Sequence, residues 1–436
     1  MPSMLLKSFT LALAASLASL GLAAPNPVDT ASAAGAAADA YSNAVFFSNR
    51  GIYKQKYQPQ DLPLSDITHV FYSFVGVLSN GTVVSVDRHA DLQKKYLHHA
   101  WERSGTNAYG CVKELYLLKK HNRMTKTILS VGGWGSSRIF RAVAATKTGR
   151  DVFAKSAVEF MKDWGFDGID IDWKYAENAK EADDMLLLLH AIRDEMDRYA
   201  VKFAAGHHFE LSMAAPAGAD KYKHYRLGEL GQLVDRINLI AYDFAGIWSK
   251  TSGHQANLHA DGKQAASASV EGAVRHYLDA GVPSSKMHLG MPTYGRSFEA
   301  TSGIGMPFTG VGKGSWEPGM WDYKVLPKSG ATVRFDNVSM AAYSYDAATN
   351  ELISFDTTQT VEGKVAYLKS KGLGGSMFWE ASADRKGNSS LVGASHRALG
   401  RLDTSQNWLE YPDSKYDNIR NGMRDQPAWQ LRQVGA

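Results

Sequence analysis

Residues 166–175 decide the fold of this chain, and they read FDGIDIDWKY. Side chains alternate across a β-strand, so Asp170, Asp172 and Lys174 point to one face while the intervening Ile and Trp side chains point to the other. Acidic side chains are costly to bury without partners. Two of them aimed the same way at a strand end indicate a polar functional site, although aspartates on a wet strand edge or capping nearby loops would show the same pattern.

This strand is one of a series of short strand-like segments that alternate with helical patterns. Residues 150–164 and 183–199, for example, carry apolar side chains at the three- and four-residue spacing of an amphipathic helix. Strands are predicted at residues 44–48, 67–74, 127–131, 168–173, 210–214, 236–242, 287–291 and 376–379. Eight strands alternating with helices predict an α/β fold, a (β/α)8 TIM barrel around a parallel sheet.

The seventh and eighth strands are separated by a long segment, residues 297–360, that is rich in Gly and aromatic residues. It contains short strand-like pieces at residues 331–335, 342–345 and 352–355. We expect an inserted α+β subdomain there, with the barrel formed by residues 41–296 and 361–436. An insertion at this point lies beside the C-terminal face of the barrel, where loops build active sites in this architecture.

The N-terminus is typical of a secreted protein. Lys7 precedes an apolar run over residues 9–22, and small residues follow before Pro25. Residues 1–24 are therefore predicted to be a cleavable signal peptide and residues 25–40 a propeptide or linker. No other segment is apolar for long enough to span a bilayer, so the protein is expected to be extracellular and not bound to a membrane. Three sequons become glycan acceptors if the host is eukaryotic, at Asn80, Asn337 and Asn388.

Composition excludes several classes of partner and stabilisation. The 436 residues include 48 basic and 44 acidic side chains, a net charge of +4, with no long block of like charge. Nucleic acid is therefore not an expected partner. Cys111 is the only cysteine, which excludes an intramolecular disulfide. With 44% hydrophobic residues, the chain can build its core without such crosslinks, and we expect a monomer.

Six stretches together carry a resemblance to a known family. The stretch at 166–175 resembles the Asp-x-x-Asp-x-Asp-x-Glu signature of glycoside hydrolase family 18, the chitinases, and more closely of the secreted fungal endochitinases. The other five resemble further strands of that family: SVGGW at 130–134, AAPAG at 214–218, AYD at 241–243, GMPTYGR at 290–296 and GGSMFWE at 374–380. The resemblance covers nearly the whole mature chain and implies chitin or chitooligosaccharides as the partner, with no cofactor and no metal.

The resemblance also implies a sugar-binding groove lined by aromatic and polar side chains. Trp379 matches the floor under the central sugar, and Trp134 a wall of the neighbouring subsite. Tyr242 and Asp243 match contacts to the N-acetyl group and the next sugar, and Tyr294 and Arg296 match polar contacts on the seventh strand. Rings of this kind stack on the CH-rich faces of sugars. Ordinary core packing is the alternative for any one Trp, and Trp248 could equally add to the groove or pack on its own barrel.

Lys174 stands where the family has its catalytic glutamate. The resemblance implies that this glutamate protonates the leaving oxygen while the substrate's own acetamide attacks, with Asp170 and Asp172 as the retained carboxylates. A lysine in water has a pKa of about 10.4, far above a tuned catalytic carboxyl, so it donates a proton with little driving force. It is also predicted to pair with Asp172. Glu177 lies on the loop beyond the strand and would have to swing inward to replace the glutamate.

Two further departures indicate the same loss. Phe46 stands where the family usually has a tyrosine whose hydroxyl holds the aspartates, and Arg50 stands where it has a stacking tryptophan. These changes predict an inactive homologue, a secreted protein that binds chitin or N-acetylglucosamine oligosaccharides. Its expected role is that of an effector, which sequesters chitin fragments from another organism's receptors. Two alternatives stay open, an active endochitinase that cleaves β-1,4 N-acetylglucosamine links and a protein-binding enzyme inhibitor on a dead barrel.

Overall fold

A computed structural model describes residues 40–96, 104–261 and 268–423 of the chain. These residues belong to one compact unit that begins at Ala40. The predicted signal peptide and almost all of the predicted propeptide therefore lie outside the described residues. Within the described ranges no helix is both long enough and apolar enough to cross a bilayer.

Eight parallel strands close into a barrel, which confirms the predicted fold. The order around the barrel is β1, β2, β4, β5, β6, β7, β8 and β14, and β14 pairs with β1 to complete the ring. The strands are β1 (Ser42–Ser48), β2 (His69–Val77), β4 (Lys126–Gly132), β5 (Gly168–Asp172), β6 (Glu210–Pro216), β7 (Arg236–Ile240), β8 (Met287–Pro292) and β14 (Gly375–Trp379). A two-residue strand, β3 (Val83–Val84), runs antiparallel to the end of β2.

Helices surround the barrel, and local capping sets the ends of the two longest. The Thr146 hydroxyl accepts a hydrogen bond from the amide of Gly149 at the start of α3, and Gly165, at φ 71°, ends that helix in the left-handed conformation. The described α-helices are α1 (Gly110–His121), α2 (Ser137–Ala144), α3 (Lys147–Trp164), α4 (Ala179–Phe203), α5 (Ala219–Tyr222), α6 (Leu227–Leu233), α7 (Val270–Asp279), α8 (Thr358–Ser370), α9 (Leu391–Leu399) and α10 (Asp417–Arg420). The Asn178 side chain likewise accepts from the amide of Glu181 at the start of α4, so both helices begin before the predicted starts at 150 and 183.

The insertion between β8 and β14 forms a second, antiparallel sheet. Its strands are β9 (Tyr294–Phe298), β10 (Met320–Asp322), β11 (Thr332–Asp336), β12 (Ala341–Asp346) and β13 (Glu351–Ser354), in the order β10, β9, β13, β12, β11. The sheet begins at Tyr294, so the predicted boundary at residue 297 falls inside its first strand. Only Thr293 separates β8 from β9. The strand-like sequence pattern continues through this residue, so it does not show where the barrel ends and the insertion begins.

Two apolar layers hold the barrel together. The larger lies between the strands and the helices, where Trp164 and Trp173 are almost fully buried. The smaller fills the barrel interior and contains Phe46, Phe71 and Met377. Above this inner layer lie the C-terminal ends of the strands, which carry the polar motifs of the sequence.

Candidate active site

Strand β5 places Asp170 deep inside the barrel, where neighbouring strands satisfy its carboxylate. Asp170 is fully buried, and it accepts hydrogen bonds from the Ser130 and Ser212 hydroxyls at 2.7 Å each and from the Asn238 amide at 3.3 Å. Burial first, and the nearby Asp172 second, raise the pKa of Asp170 to about 6. Its carboxyl group therefore titrates near neutral pH.

Asp172 and Lys174 form the predicted ion pair at the mouth of the barrel. The Lys174 ammonium lies 2.8 Å from Oδ2 of Asp172, whose side chain is almost fully buried. The other oxygen, Oδ1, is buried and has no hydrogen-bond donor among the described residues. The ammonium also lies 5.7 Å from the centre of a ring of Trp379. One oxygen of Asp172 is thus engaged, and the other is left without a donor from the part of the chain that the structure describes.

Two glycines bring the loop after β4 against this strand. Gly132 has a φ of 125°, and a Cβ added there would lie 2.4 Å from the carbonyl oxygen of Asp172. The amide of Gly133 donates to that same carbonyl at 3.0 Å. Only glycine fits this close approach in this backbone conformation, which explains the pair of glycines in the stretch 130–134.

Aromatic rings cover the floor of the groove at the ends of β1, β2 and β14. The ring of Phe46 lies 5.3 Å from that of Trp379, and Phe74 stacks on Trp379 at 5.7 Å. Phe46 is buried among apolar residues, so the hydroxyl expected at this position has no counterpart here. The serines and the asparagine around Asp170 hold that carboxylate without it.

Two tryptophans stand at the rim of the groove. Trp134 follows β4 and is 80% exposed, and Trp248 follows β7 and is 55% exposed. Large exposed rings are costly in water and are typical of sugar-binding surfaces. The guanidinium of Arg296 lies 5.2 Å from the centre of a Trp248 ring, which fixes that tryptophan beside the polar cluster described next.

Asp243 is held by the polar residues of β9. Arg296 forms a bidentate ion pair with it, Nε to Oδ1 and Nη2 to Oδ2 at 2.9 Å each, and the Tyr294 hydroxyl donates to Oδ1 at 2.7 Å. The ring of Tyr242 meets that of Tyr294 edge-on at 6.2 Å. The segment just after β7 and strand β9 therefore bring together four of the predicted site residues.

Two residues considered in the sequence lie away from this cluster. Glu177 is exposed and pairs with Arg141 at 2.8 Å on the surface, so it does not replace a carboxyl at position 174. Arg50 is exposed in a short turn after β1. Sequence reasoning did not single out Ser130, Ser212, Asn238 and Phe74. These residues lie on β2, β4, β6 and β7 with their side chains inside the barrel. That orientation can be inferred only once the register of the barrel strands is known.

These features define a barrel with an aromatic, carboxylate-bearing groove at its C-terminal face, a class that suits carbohydrate substrates. The family model for glycosyl hydrolases family 18 matches residues 42–384. The chain belongs to that family.

Named relatives are similar over nearly the whole chain. It is 57% identical over 427 residues to endochitinase 1 of Metarhizium robertsii, which covers 97% of this chain and 100% of that protein. It is 56% identical over 385 residues to chitinase 1 of Aphanocladium album, covering 88% of this chain and 91% of that one. A solved chitinase from Bacillus thuringiensis has a TM-score of 0.77 at 29% identity, covering 83% of this chain and 70% of that structure.

The comparisons contradict the prediction of an inactive, effector-like binding protein. Relatives that share more than half of their residues with this chain are named endochitinases and chitinases. The alternative of an active endochitinase therefore fits better than either the binding protein or the enzyme inhibitor. The prediction gave three substituted positions, Lys174, Phe46 and Arg50, more weight than a similarity that extends over nearly the whole chain.

Proposed function

We propose that this protein is an endochitinase that hydrolyses β-1,4 links between N-acetylglucosamine units. The observation that carries the proposal is the identity of 57% over 97% of the chain with a fungal endochitinase. The groove supports it, because it combines aromatic rings with an arginine-held carboxylate and two inward aspartates. Chitin or its oligosaccharides are the proposed substrate.

The free oxygen of Asp172 suits the acetamide group of such a substrate. Oδ1 is buried without a donor, and the N–H of an N-acetyl group supplies the donor that it lacks. Holding the acetamide in this way orients its carbonyl oxygen toward the anomeric carbon. The substrate's own acetamide then acts as the nucleophile, as the family resemblance implies.

Lys174 is the proton-bearing group at the position of the family's acid. In the proposed reaction its ammonium gives one proton to the leaving glycosidic oxygen as the acetamide oxygen attacks, and the side chain becomes a neutral amine. The amine then takes a proton from the water that opens the intermediate, which restores the ammonium. Because an ammonium is a weaker acid than a carboxylic acid, this step is expected to be slower than with a glutamate.

The experiment is release of reducing ends from colloidal chitin by the purified chain, with Asp172→Ala as the control. We expect release by the parent protein, and at least about a hundredfold less from the variant, because the acetamide loses its acceptor and Lys174 its partner. An unfolded variant is excluded by comparing the circular dichroism spectra. No release above the level of Asp172→Ala would contradict the proposal.

Export and domain organisation complete the proposal. The apolar run at residues 9–22 behind Lys7 supports a signal peptide, so we place the enzyme outside the cell, where chitin is found. The antiparallel sheet of residues 294–354 forms a wall beside the groove through Tyr294 and Arg296. Sequencing the N-terminus of the exported protein tests the predicted cleavage near residue 25.

A further inference from the structure

The insertion carries an exposed tryptophan, Trp316, that the groove described above does not include. It lies in the turn that leads into β10, and it is 47% exposed. A single exposed ring is ordinary on a protein surface. Its meaning therefore depends on the face of the sheet on which the ring lies and on whether other side chains hold it there.

The pairing of β10 with β9 shows which face of the insertion sheet is turned to the groove. In this antiparallel pair Met320 lies opposite Arg296. Asp322 lies opposite Tyr294. Side chains of directly opposite residues point to the same face of a sheet. Because Arg296 and Tyr294 both hold Asp243 in the groove, the two residues of β10 point toward the groove as well.

Trp316 is tied to this face through Asp322. Its indole N–H donates to Oδ2 of Asp322 at 2.9 Å, and Asp322 is only 2% exposed. Hydrogen bonds to a carboxylate are stronger than those between neutral groups, so this one fixes the orientation of the indole. Met320, on the same face of β10, packs against the apolar layer to which Trp379 belongs. The exposed ring therefore lies on the groove side of the insertion.

The same carboxylate connects the exposed ring to the segment after β14. The Lys324 ammonium lies 3.1 Å from Oδ2 of Asp322 and donates to the carbonyl oxygen of Ser382 at 2.6 Å. Ser382 lies in the short turn that follows Trp379. The amide of Asp322 also donates to the hydroxyl of Ser315 at 2.9 Å, which holds the turn from below. These contacts fix the exposed ring relative to the floor of the groove before a ligand binds.

The next residue, Glu317, lies beside the polar cluster of the groove. Its carboxylate is 3.6 Å from Nη1 of Arg296, and its carbonyl oxygen accepts from the amide of Met320 at 3.2 Å. The turn that carries Trp316 therefore borders the groove on the insertion side. This part of the rim is separate from that of Trp134, which follows β4.

We propose that Trp316 stacks on a further N-acetylglucosamine ring of the chain, beyond the sugar that rests on Trp379. This inference rests on the proposed function, because it takes chitin oligosaccharides as the ligand. The CH-rich face of a sugar packs on an indole ring, and a ring that is already held in place loses little conformational freedom on binding. A disaccharide at the floor of the groove does not extend to Trp316, so the contact raises the affinity for longer chains only.

The test is isothermal titration calorimetry with the disaccharide and the hexamer of N-acetylglucosamine, in the Lys174→Met chain so that cleavage does not disturb binding. Adding Trp316→Ala should weaken hexamer binding about tenfold, because the stacking surface is removed, and should leave disaccharide binding unchanged. Trp316→Phe keeps a ring and should lose less. Val201→Ala, which removes an exposed apolar side chain from α4, is the matched control and should change neither affinity.

Hexamer binding that Trp316→Ala leaves unchanged would overturn this contact. An equal loss for disaccharide and hexamer would also overturn it, because that result indicates a general disturbance of the groove, and so would no binding of the hexamer by the Lys174→Met chain. Calorimetry measures binding and not cleavage. A parent chain that releases no products while the hexamer depends on Trp316 would contradict the proposed function alone.

Discussion

Lys174 changes the groove by its charge and by its pairing with Asp172. The ammonium holds Oδ2 of Asp172 at 2.8 Å, and it lies beside the ring of Trp379. An acetamide group that binds to the remaining oxygen, Oδ1, leaves this pair in place. In the proposed reaction the substrate and the ammonium would therefore share one carboxylate, which would put the proposed proton donor close to the sugar that reacts.

Arg296 is expected to act on substrate binding through Asp243. Lysine at this position keeps the charge but cannot make the two parallel hydrogen bonds that hold the carboxylate. We expect Arg296→Lys to raise KM for N-acetylglucosamine hexamer about tenfold with a smaller change in kcat. Steady-state kinetics measure both, and Arg334→Lys, on an exposed strand of the insertion, is the control. A fall in kcat at constant KM would contradict a binding role.

Among the structural elements, the barrel strands could be predicted and the corner between the barrel and the insertion could not. Short apolar runs between helical patterns predict the eight strands. The insertion sheet begins at Tyr294, immediately beyond Thr293, whose hydroxyl donates to the carbonyl oxygens of Trp379 and Glu380. That contact joins positions 86 and 87 residues apart, so no local pattern reports it.

The approach of the loop after β4 to strand β5 gives a prediction about stability. In Gly132→Ala the added Cβ would meet the Asp172 carbonyl at 2.4 Å in a backbone conformation with positive φ. We expect a loss of about 2 kcal/mol or more in the free energy of unfolding, measured by urea denaturation. Gly135→Ala, where a Cβ meets nothing within 4 Å, is the matched control and should change little. Equal effects of the two substitutions would contradict the close packing.

For the whole molecule, the sequence predicted the groove and the family, but the prediction that the protein is inactive was wrong. The motif around Asp170 located the site because its alternation is visible along a single strand. The prediction of inactivity was wrong because it followed from three substituted positions, Lys174, Phe46 and Arg50, whereas the similarity to endochitinases extends over the chain. The hydrogen bonds from Ser130, Ser212 and Asn238 to Asp170 were missed, because residues of distant strands meet only when the barrel closes.

Buried carboxyl groups predict how stability depends on pH. Burial raises the pKa of Asp170 to about 6 and that of Glu380 to about 7, so the folded state holds these protons more tightly than the unfolded chain does. Stability from both groups is complete at low pH and is lost as pH rises from about 4 to 7. Glu210, with its pKa lowered to about 2, acts oppositely between about pH 2 and 4.5.

Burial also lowers the pKa of His69, His254 and His288, which acts in the opposite direction, so the Glu380 contribution is isolated by comparing thermal unfolding of the parent and of a Glu380 variant by circular dichroism. Glu380→Gln should flatten the decline toward pH 7, by up to about 3 kcal/mol in stability, because the amide has no proton to lose. Glu177→Gln, at an exposed surface ion pair, should leave the profile unchanged. Tm values of the parent and of Glu380→Gln that change in parallel from pH 4 to 7 would contradict the assignment of Glu380.

Cleavage of N-acetylglucosamine hexamer tests most directly whether this chain cleaves chitin with Lys174 as its proton donor. The parent should produce shorter oligosaccharides, Lys174→Met should be at least about a hundredfold slower because it carries no proton, and Lys174→Glu should be faster than the parent. Products from Lys174→Glu alone, with the parent as inert as Lys174→Met, would contradict the claim.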